Sequence, residues 1–357
     1  MTPEQKKILG VLLVVGIIYM GVSIWQGSFD PRTWQIRPLY VSAIIYSSLL
    51  TLLSIGLTLT YLTTKVPNFA HATFAAVGVY AAFTVVKLWK GNIYHHLYLA
   101  FIIGGIIALA QYLIVFRPLI RRGASIVGLM ITTLAIELIL LSVLNIYADY
   151  LSRQFKIQSR YFDFKAYDIS IAGQRGILIV APTLAAVTVI LLHLALTRTK
   201  FGVAMRAAIE DPSLASVVGI NVNLVYAVSW FVAGALAGLS GALIPLHTRS
   251  YPEVGALWIV SVFAASIVGG LFSLYGAVLG GFLIGFAEII GTYELGKLVG
   301  RWVTSYRLLV PLIVIAVTLL LAPKGLLGVN WRGVANTMVG AVRKSVARFR
   351  SRARSKS

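Results

Sequence analysis

The fold of this chain is decided by a polar stretch that interrupts apolar sequence, TRTKFGVAMRAAIEDPSLASVVGINVN (Thr197–Asn223). Apolar segments long enough to cross a bilayer flank it on both sides, so the stretch cannot lie in lipid. Asp211 has the chemistry of a helix N-cap, Pro212 that of a first helical residue, and Gly219 is placed to end the helix. The pattern predicts two short helices with a corner between them, on one membrane face, where they would contact another protein.

The composition outside this stretch is that of a membrane protein. Hydrophobic residues make up 59% of the 357 residues, charged residues only 12%, and the mean hydropathy is +0.87. Apolar runs long enough for a transmembrane helix recur from end to end, which a soluble core does not need. A transmembrane barrel would show short alternating segments instead. We therefore expect an all-α, polytopic helical membrane protein.

The apolar runs predict about ten spans within a single transmembrane domain, residues 1–329. An even number of spans places both termini on the same face as the polar stretch, which lies between spans six and seven. The predicted spans are Ile8–Trp25, Leu39–Leu62, Phe69–Val86, Leu97–Phe116, Ile126–Tyr147, Ile177–Leu196, Leu224–Leu246, Ala256–Leu271, Tyr275–Ile290 and Tyr306–Leu321.

The chain is strongly basic, with 31 Lys and Arg against 11 Asp and Glu and a net charge of +20. The basic residues lie between or after the apolar runs, which argues against nucleic-acid binding. The tail, residues 330–357, is basic and has no acidic residue. It is typical of a cytoplasmic segment beside anionic lipid, or alternatively of a disordered solubilising tail. The first interpretation places both termini in the cytoplasm. Without cysteine, the chain has neither disulfides nor thiolate metal sites.

The two halves of the chain resemble each other. GLTLTYLTTKVPNFAHATFAAVGVYAAF (Gly56–Phe83) and GLSGALIPLHTRSYPEVGALWIVSVFAA (Gly238–Ala265) each combine a Gly-led helix end, a Pro-containing break and a small-residue helix. On the predicted topology the first enters from one face and the second from the other. This arrangement is typical of inverted repeats, although shared membrane composition would also produce such a likeness.

A hydroxyl stripe marks the second span. Ser47, Thr51, Ser54 and Thr58 fall at i, i+4, i+7 and i+11, which places them on one helix face. Such a stripe suits a solvated or substrate-lined path. The alternative is that the hydroxyls bond carbonyls of their own helix and let helices pack closely.

Four further polar residues are candidates for the path. Asn68 follows Pro67 and is suited to cap a helix starting at Phe69, which would leave a positive helix end at a break in the span. His71 lies one turn further, although a lone histidine is more often a packed, hydrogen-bonded residue. Glu137 and Glu288 lie inside predicted spans, where ionisable groups are costly and face the bundle interior or a wet cavity. Structural pairing explains such glutamates equally well.

No catalytic signature is present in the sequence. There is no HExxH, no nucleophile elbow and no Gly-x-x-x-x-Gly-Lys-Ser/Thr loop, so a partner chain would have to bind any ATP that is used. We expect neither enzymatic activity nor a bound cofactor.

Three stretches in this order resemble the branched-chain amino acid permease family of ABC importers. Gly56–Phe83 is similar to that family's Asn-Phe-Ala-His segment, and RTKFGVAMRAAIEDPSLASVVGIN (Arg198–Asn221) to its cytoplasmic loop. GGLFSLYGAVLGG (Gly269–Gly281) resembles its later Gly-rich turn. The Asn-Phe-Ala-His form is that of the LivH-like type. Ala72 departs from the family, which commonly has glycine after the histidine, and the basic tail is longer than usual.

The resemblance implies an import pore without enzymatic activity that carries branched-chain or other amino acids, urea or short amides. It would pair with a LivM-like second permease or with itself, dock two ATPase subunits and receive substrate from an external binding protein. The polar stretch would then couple the pore to the ATPase through Arg206, Glu210, Asp211, Pro212, Ser213, Leu214, Ser216 and Gly219. Two other hypotheses remain: an ion-coupled secondary transporter, which would use Glu137 and Glu288, and a membrane scaffold or receptor.

Overall fold

The computed structural model describes residues 29–30, 35–171, 173–322 and 325. The predicted first span, Ile8–Trp25, and the basic tail lie outside these residues. The described chain is mostly helical, as expected. Its α-helices are α1 Pro38–Thr64, α2 His71–Lys87, α3 Leu97–Ala110, α4 Arg117–Arg121, α5 Ile126–Phe155, α6 Gly176–Arg198, α7 Lys200–Glu210, α8 Pro212–Val217, α9 Val222–His247, α10 Val254–Gly269, α11 Leu274–Phe286, α12 Thr292–Val299 and α13 Leu309–Leu321.

Shorter elements join these helices. Gln111–Phe116 and Ala287–Gly291 are π-helical and continue α3 into α4 and α11 into α12. Short 3-10 helices cover Tyr94–His96, Lys165–Tyr167 and Arg301–Tyr306. Two antiparallel hairpins pair β1 Phe29–Asp30 with β2 Gln35–Ile36, and β3 Ser170–Ile171 with β4 Gln174–Arg175.

Six helices in the described part of the chain are long and apolar enough to cross a membrane. They are Pro38–Thr64, Tyr94–Arg121, Ile126–Phe155, Gly176–Arg198, Val222–His247 and Leu274–Val299. Helices α2, α10 and α13 are apolar but shorter than a full span. The chain is thus a multi-pass helical protein, while the total of ten spans stays a prediction.

Helices α1 and α9 form the centre of the bundle. Most of α1 is buried, because α6, α9, α10 and α11 surround it, and α9 also packs against α2 and α3. Close approach is possible because small residues face each other. At Gly78, for example, an added Cβ would collide with the Gly238 carbonyl of α9. Glycines on both helices therefore permit this contact.

The two halves of the bundle pack in the same way. In the first half, α2 contacts α3 and α5; in the second half, the corresponding helix α10 contacts α11 and α13. Between the halves, α1 contacts α11, and the corresponding helix α9 contacts α3. Helices α1 and α9 also contact each other, as do α2 and α10. A repeat of α1–α5 and α9–α13 about a two-fold axis produces this pattern, which supports the predicted relation between the halves.

The two ends of the bundle have different connections. One end, here called the α8 face, carries α7, α8 and the α1–α2 connection, where the Lys65 ammonium lies 5.8 Å from the centroid of the Phe272 ring. The opposite end, here called the hairpin face, carries β3–β4. At the hairpin face Phe162 pairs with Ser250, and the buried Phe164 donates its backbone N–H to the Pro245 carbonyl at 2.8 Å. The long connection after α5 is therefore folded onto the bundle.

Candidate functional site

The corner predicted in the polar stretch lies between α7 and α8. The Asp211 Oδ1 accepts hydrogen bonds from the backbone N–H groups of Ser213 and Leu214, both at 2.9 Å. These bonds satisfy donors that a helix start leaves unpaired. Gly219, with φ +87°, lies in the left-handed region just beyond the end of α8. Residue chemistry alone therefore located both ends of this helix.

The corner is held on the bundle by one face of α7. Met205 and Ala208 are buried, and the Tyr226 hydroxyl of α9 donates to the Ala208 carbonyl at 3.3 Å. The opposite side is open: Leu214 is 61% exposed and Val217 83% exposed. All eight predicted coupling residues are exposed: Arg206, Glu210, Asp211, Pro212, Ser213, Leu214, Ser216 and Gly219. A capped helix thus presents aliphatic side chains beside charged ones.

Asp211→Ala is expected to loosen α8, because two backbone N–H groups lose their acceptor. Loss of such a cap costs about 0.5–2 kcal/mol. Hydrogen exchange at the amides of Ser213 and Leu214 should accelerate by about tenfold, since each 1.4 kcal/mol is a factor of ten. Asp211→Asn keeps an accepting side-chain oxygen and should exchange nearly as slowly as the wild type. Equal exchange in the alanine and asparagine variants would show that the cap does not order α8.

The hydroxyl stripe lies on the central helix α1, and Ser47, Thr51, Ser54 and Thr58 are all fully buried. The Thr51 hydroxyl donates to the Ser47 carbonyl at 2.8 Å, within the same helix. The Ser54 hydroxyl donates to the Ala277 carbonyl of α11, also at 2.8 Å. The Thr58 hydroxyl has no hydrogen-bond partner among the described residues. Intrahelical bonds and helix contacts account for most of the stripe in this conformation.

Helix α11 covers the stripe through its glycines. A Cβ added at Gly281 would lie 2.5 Å from the Thr51 Oγ1, and one added at Gly285 would collide with the backbone of Ser47. The stripe is therefore closed and tightly packed here. A path along it requires α1 and α11 to separate, and the path stays a prediction.

Ser54→Ala is expected to weaken the α1–α11 contact. Interhelical side-chain hydrogen bonds in membranes are worth about 0.6 kcal/mol on average, and the loss should appear as a small decrease in the thermal midpoint in detergent. Ser142→Ala is the control, because among the described residues the Ser142 hydroxyl bonds only to the Leu138 carbonyl of its own helix, at 2.8 Å. Identical midpoints for the two variants would contradict an interhelical role for Ser54.

The break between α1 and α2 brings two amide side chains together. Helix α2 begins at His71, two residues later than the predicted start at Phe69, and the Asn68 Oδ1 accepts from the Ala70 backbone N–H at 3.1 Å. The same oxygen accepts from the Gln111 Nε2 at 3.3 Å. The Asn68 Nδ2 and the Gln111 Oε1 are buried without partners among the described residues. Unpaired amide groups therefore remain at the break.

His71 is fully buried and faces α1. Its Nε2 lies 3.0 Å from the Leu53 carbonyl, so this nitrogen carries the proton. Gly56 makes room for the ring, because a Cβ there would lie 2.8 Å from the His71 Cε1. This hydrogen bond joins the start of α2 to α1. His71 is thus a packed, hydrogen-bonded histidine in this conformation.

Glu288 lies at the centre of a second polar cluster, towards the hairpin face. Its Oε2 accepts hydrogen bonds from the Ser261 hydroxyl at 2.7 Å and the Tyr46 hydroxyl at 2.9 Å. The Arg307 Nε lies 3.0 Å from Oε1, but its alignment is not that of a hydrogen bond, so the contact is an ion pair. Glu288 is fully buried, and the Arg307 side chain is 39% exposed. Helix α1, helix α10 and the turn before α13 thus each bring one side chain to the carboxylate of the second π-helical segment.

The two polar clusters occupy matching places in the two halves. Gln111 and Glu288 each lie in a π-helical segment, fourteen residues after the first residue of α3 and of α11 respectively. π-helical segments are rare and often mark functional positions. The match supports a functional use of both clusters.

Glu137 lies apart from these clusters, on α5. Most of α5 is exposed, as shown by Leu138 at 64% and Ile139 at 61%. Glu137 is half-buried and has no hydrogen-bond or ion-pair partner among the residues that the structure describes. A carboxylate at this depth needs a partner, and α5 presents it towards the outside of the bundle.

Four members of the clusters were not singled out from the sequence. Gln111 and Arg307 each left a signal, since both are polar side chains inside a predicted span. Tyr46 and Ser261 could not be singled out from the sequence, because hydroxyl side chains are common in membrane-spanning helices. Only the packing of α1 and α10 against the second π-helical segment brings these two hydroxyls to Glu288.

Comparison with known proteins identifies the family. Residues 39–319 match the model of the permease component of the branched-chain amino acid transport system. A probable branched-chain amino acid transport permease protein LivH of Methanocaldococcus jannaschii is 46% identical over 290 residues, covering 81% of this chain and 92% of that protein. The high-affinity permease protein BraD of Pseudomonas aeruginosa is 26% identical (84% and 97% covered), and LivH of Salmonella typhimurium 25% (80% and 94% covered). No solved structure matches. The chain belongs to the family of branched-chain amino acid transport permeases and is LivH-like, as its motifs indicated.

Proposed function

We propose that this chain is the membrane-spanning subunit of an ATP-driven importer for branched-chain or related amino acids. It would work in the cytoplasmic membrane, energised by separate ATPase subunits and supplied by an external binding protein. The family is one of transport subunits rather than enzymes, and its relatives are named as branched-chain amino acid permeases.

The observation that carries this proposal is the exposed corner at α8. A transport subunit without a nucleotide-binding loop needs a surface through which a partner's ATP cycle can move its helices. The exposed Leu214 and Val217, beside the capping Asp211, fit insertion into a cleft of an ATPase. Since α7 rests on α9 and adjoins α6, force on the corner would reach the central helices. The α8 face, and with it both termini, would then be cytoplasmic.

The exposed helix α5 supports a further permease subunit as partner. Its outward apolar side chains and the unpaired Glu137 fit a second, LivM-like permease or a second copy of this chain better than lipid alone. The basic tail would lie against anionic lipid at the cytoplasmic surface. Predicted path residues on α1 and α2 would become accessible only when the packed stripe opens.

The proposal is tested by uptake of radiolabelled L-leucine into vesicles that contain the chain with its ATPase and binding-protein partners. Uptake should require ATP inside, stop when the ATPase active site is mutated, and persist when a protonophore collapses the proton gradient. Competition by isoleucine and valine, but not by urea or acetamide, would assign the substrate class. Uptake that follows the ion gradient without ATP would overturn the proposal.

The ion-coupled alternative depends on the intramembrane acids. Glu288 is already neutralised by Arg307, at 3.0 Å, and bound by two hydroxyls. A carboxylate held in this way is poorly placed to exchange a coupling proton with solvent. Glu288 therefore lends no support to ion coupling, and of the two predicted acids Glu137 on α5 stays the candidate for it.

A further inference from the structure

We propose that Glu288 and Arg307 form a recognition site for the two charges of a zwitterionic amino acid, on the hairpin-face side of the bundle. The inference rests on the proposed function and deepens it, because it assigns substrate recognition to residues of this chain. The ammonium of the substrate would bind Glu288, and its carboxylate would bind Arg307.

The carboxylate of Glu288 has one oxygen that is not saturated. Oε2 accepts two hydrogen bonds, from Tyr46 and Ser261, whereas Oε1 accepts none and has only the ion-pair contact with Arg307. Because a carboxylate oxygen can accept more than one donor, Oε1 can accept a hydrogen bond from a further donor beside the guanidinium, which lies 3.0 Å away. An ammonium has three N–H donors and fits this oxygen.

The guanidinium of Arg307 has spare donors. It approaches Glu288 through Nε, and no hydrogen bond joins its terminal nitrogens to the described residues. Arginine binds a carboxylate in a bidentate manner through paired N–H groups. Because the side chain is 39% exposed near the start of α13, it can meet a solute arriving at the hairpin face while it still touches the buried acid.

Charge balance makes the pair selective. Glu288 and Arg307 together carry no net charge. When a zwitterion binds, the Glu288–Arg307 ion pair is replaced by a Glu288–ammonium pair and an Arg307–carboxylate pair, and no charge is left unpaired. A cation lacking the carboxylate would leave Arg307 without a partner, and an anion would do the same to Glu288. An unpaired charge on the fully buried Glu288 is strongly unfavourable, and an unpaired Arg307 forgoes its bidentate carboxylate partner, so both single-charge analogues would bind more weakly than the zwitterion.

Aromatic rings beside the pair suit an apolar side chain. The Tyr46 ring lies 4.6 Å from the Trp258 ring, centroid to centroid, and the Arg307 guanidinium carbon lies 5.1 Å from the Tyr46 centroid. Trp258 is 4% exposed and belongs to the same apolar cluster as Tyr46. The charged pair therefore lies beside buried aromatic side chains, which would contact the aliphatic side chain of a bound amino acid.

The test is ligand-dependent thermal stability of the purified full-length permease in detergent. About 20 mM L-leucine should raise the unfolding midpoint of the wild type by about 2 °C or more. Leucinamide, which lacks the carboxylate, and 4-methylpentanoate, which lacks the ammonium, should each give less than about a quarter of that shift at the same concentration. This comparison needs no variant, so it holds even where a variant fails to fold.

Variants then locate the site. Glu288→Gln and Arg307→Gln should each remove the leucine shift, while Glu294→Gln, which breaks the peripheral Glu294–Lys297 pair of 2.8 Å, should keep it. A leucine shift that survives in both cluster variants, equal shifts with all three ligands, or no shift in the wild type would overturn the site. ATP-dependent leucine uptake alongside any of these results would leave the proposed function standing.

Discussion

Replacing Leu214 with aspartate is expected to abolish both ATPase binding and ATP-driven uptake. Leu214 is 61% exposed on α8 and makes no contribution to the buried cluster that holds α7 on the bundle. A carboxylate pressed into an apolar cleft of a partner would lose its hydration without gaining a counter-charge. The affinity for the ATPase should fall by about 100-fold or more, which corresponds to a binding free energy on the order of 3 kcal/mol. The measurement is co-purification of the ATPase with tagged permease, together with vesicle uptake.

Ile171→Asp is the matched control for this change. Ile171 is an exposed aliphatic residue of β3, 38% exposed, on the opposite end of the bundle. The substitution introduces the same charge and should leave ATPase co-purification unchanged. If Leu214→Asp retains both the ATPase and uptake, α8 is not the coupling element, and the proposed route of energy into the pore is wrong.

Gly241→Ala is expected to destabilise the permease severely, in spite of the better helix propensity of alanine. A Cβ at Gly241 would collide with the backbone carbonyl of Ala75, where α9 crosses α2. Overpacking typically costs about 1–3 kcal/mol, and a collision with backbone, which cannot rotate away, belongs at the upper end of that range. The loss then exceeds the roughly 1 kcal/mol that alanine gains over glycine in a helix. The loss should appear as a lower thermal midpoint and a lower yield of monodisperse protein.

Gly291→Ala separates crowding from propensity. A Cβ at Gly291 meets nothing within 4 Å, so the same substitution there should be neutral or stabilising. Equal losses in the two variants would mean that the close approach of α9 and α2 does not limit stability.

The parts that local chemistry determines could be predicted from the sequence. The Asp211 cap, the Pro212 start and the Gly219 stop are decided by single residues, and the structure places α8 within a residue of the expected ends. Apolar runs likewise located the long helices. The ends were less accurate: α5 continues to Phe155, because its last turns are polar and leave the apolar run.

The polar clusters required the tertiary structure. Nothing in the sequence around Tyr46 indicates that its hydroxyl meets a carboxylate 242 residues away. The stripe on α1 raised two interpretations, and only the glycines of α11 show that it is packed shut in this conformation. π-helical segments also have no reliable sequence signal, so the matching positions of Gln111 and Glu288 appear only in the backbone.

The lengths of α2 and α10 have a consequence for the barrier that a solute must cross. These helices have 17 and 16 residues. At 1.5 Å per residue they span about 25 Å, several ångströms less than the roughly 30 Å hydrocarbon core. A solute that moved along the axis of these two helices would therefore pass fewer apolar helical turns than a full membrane span presents.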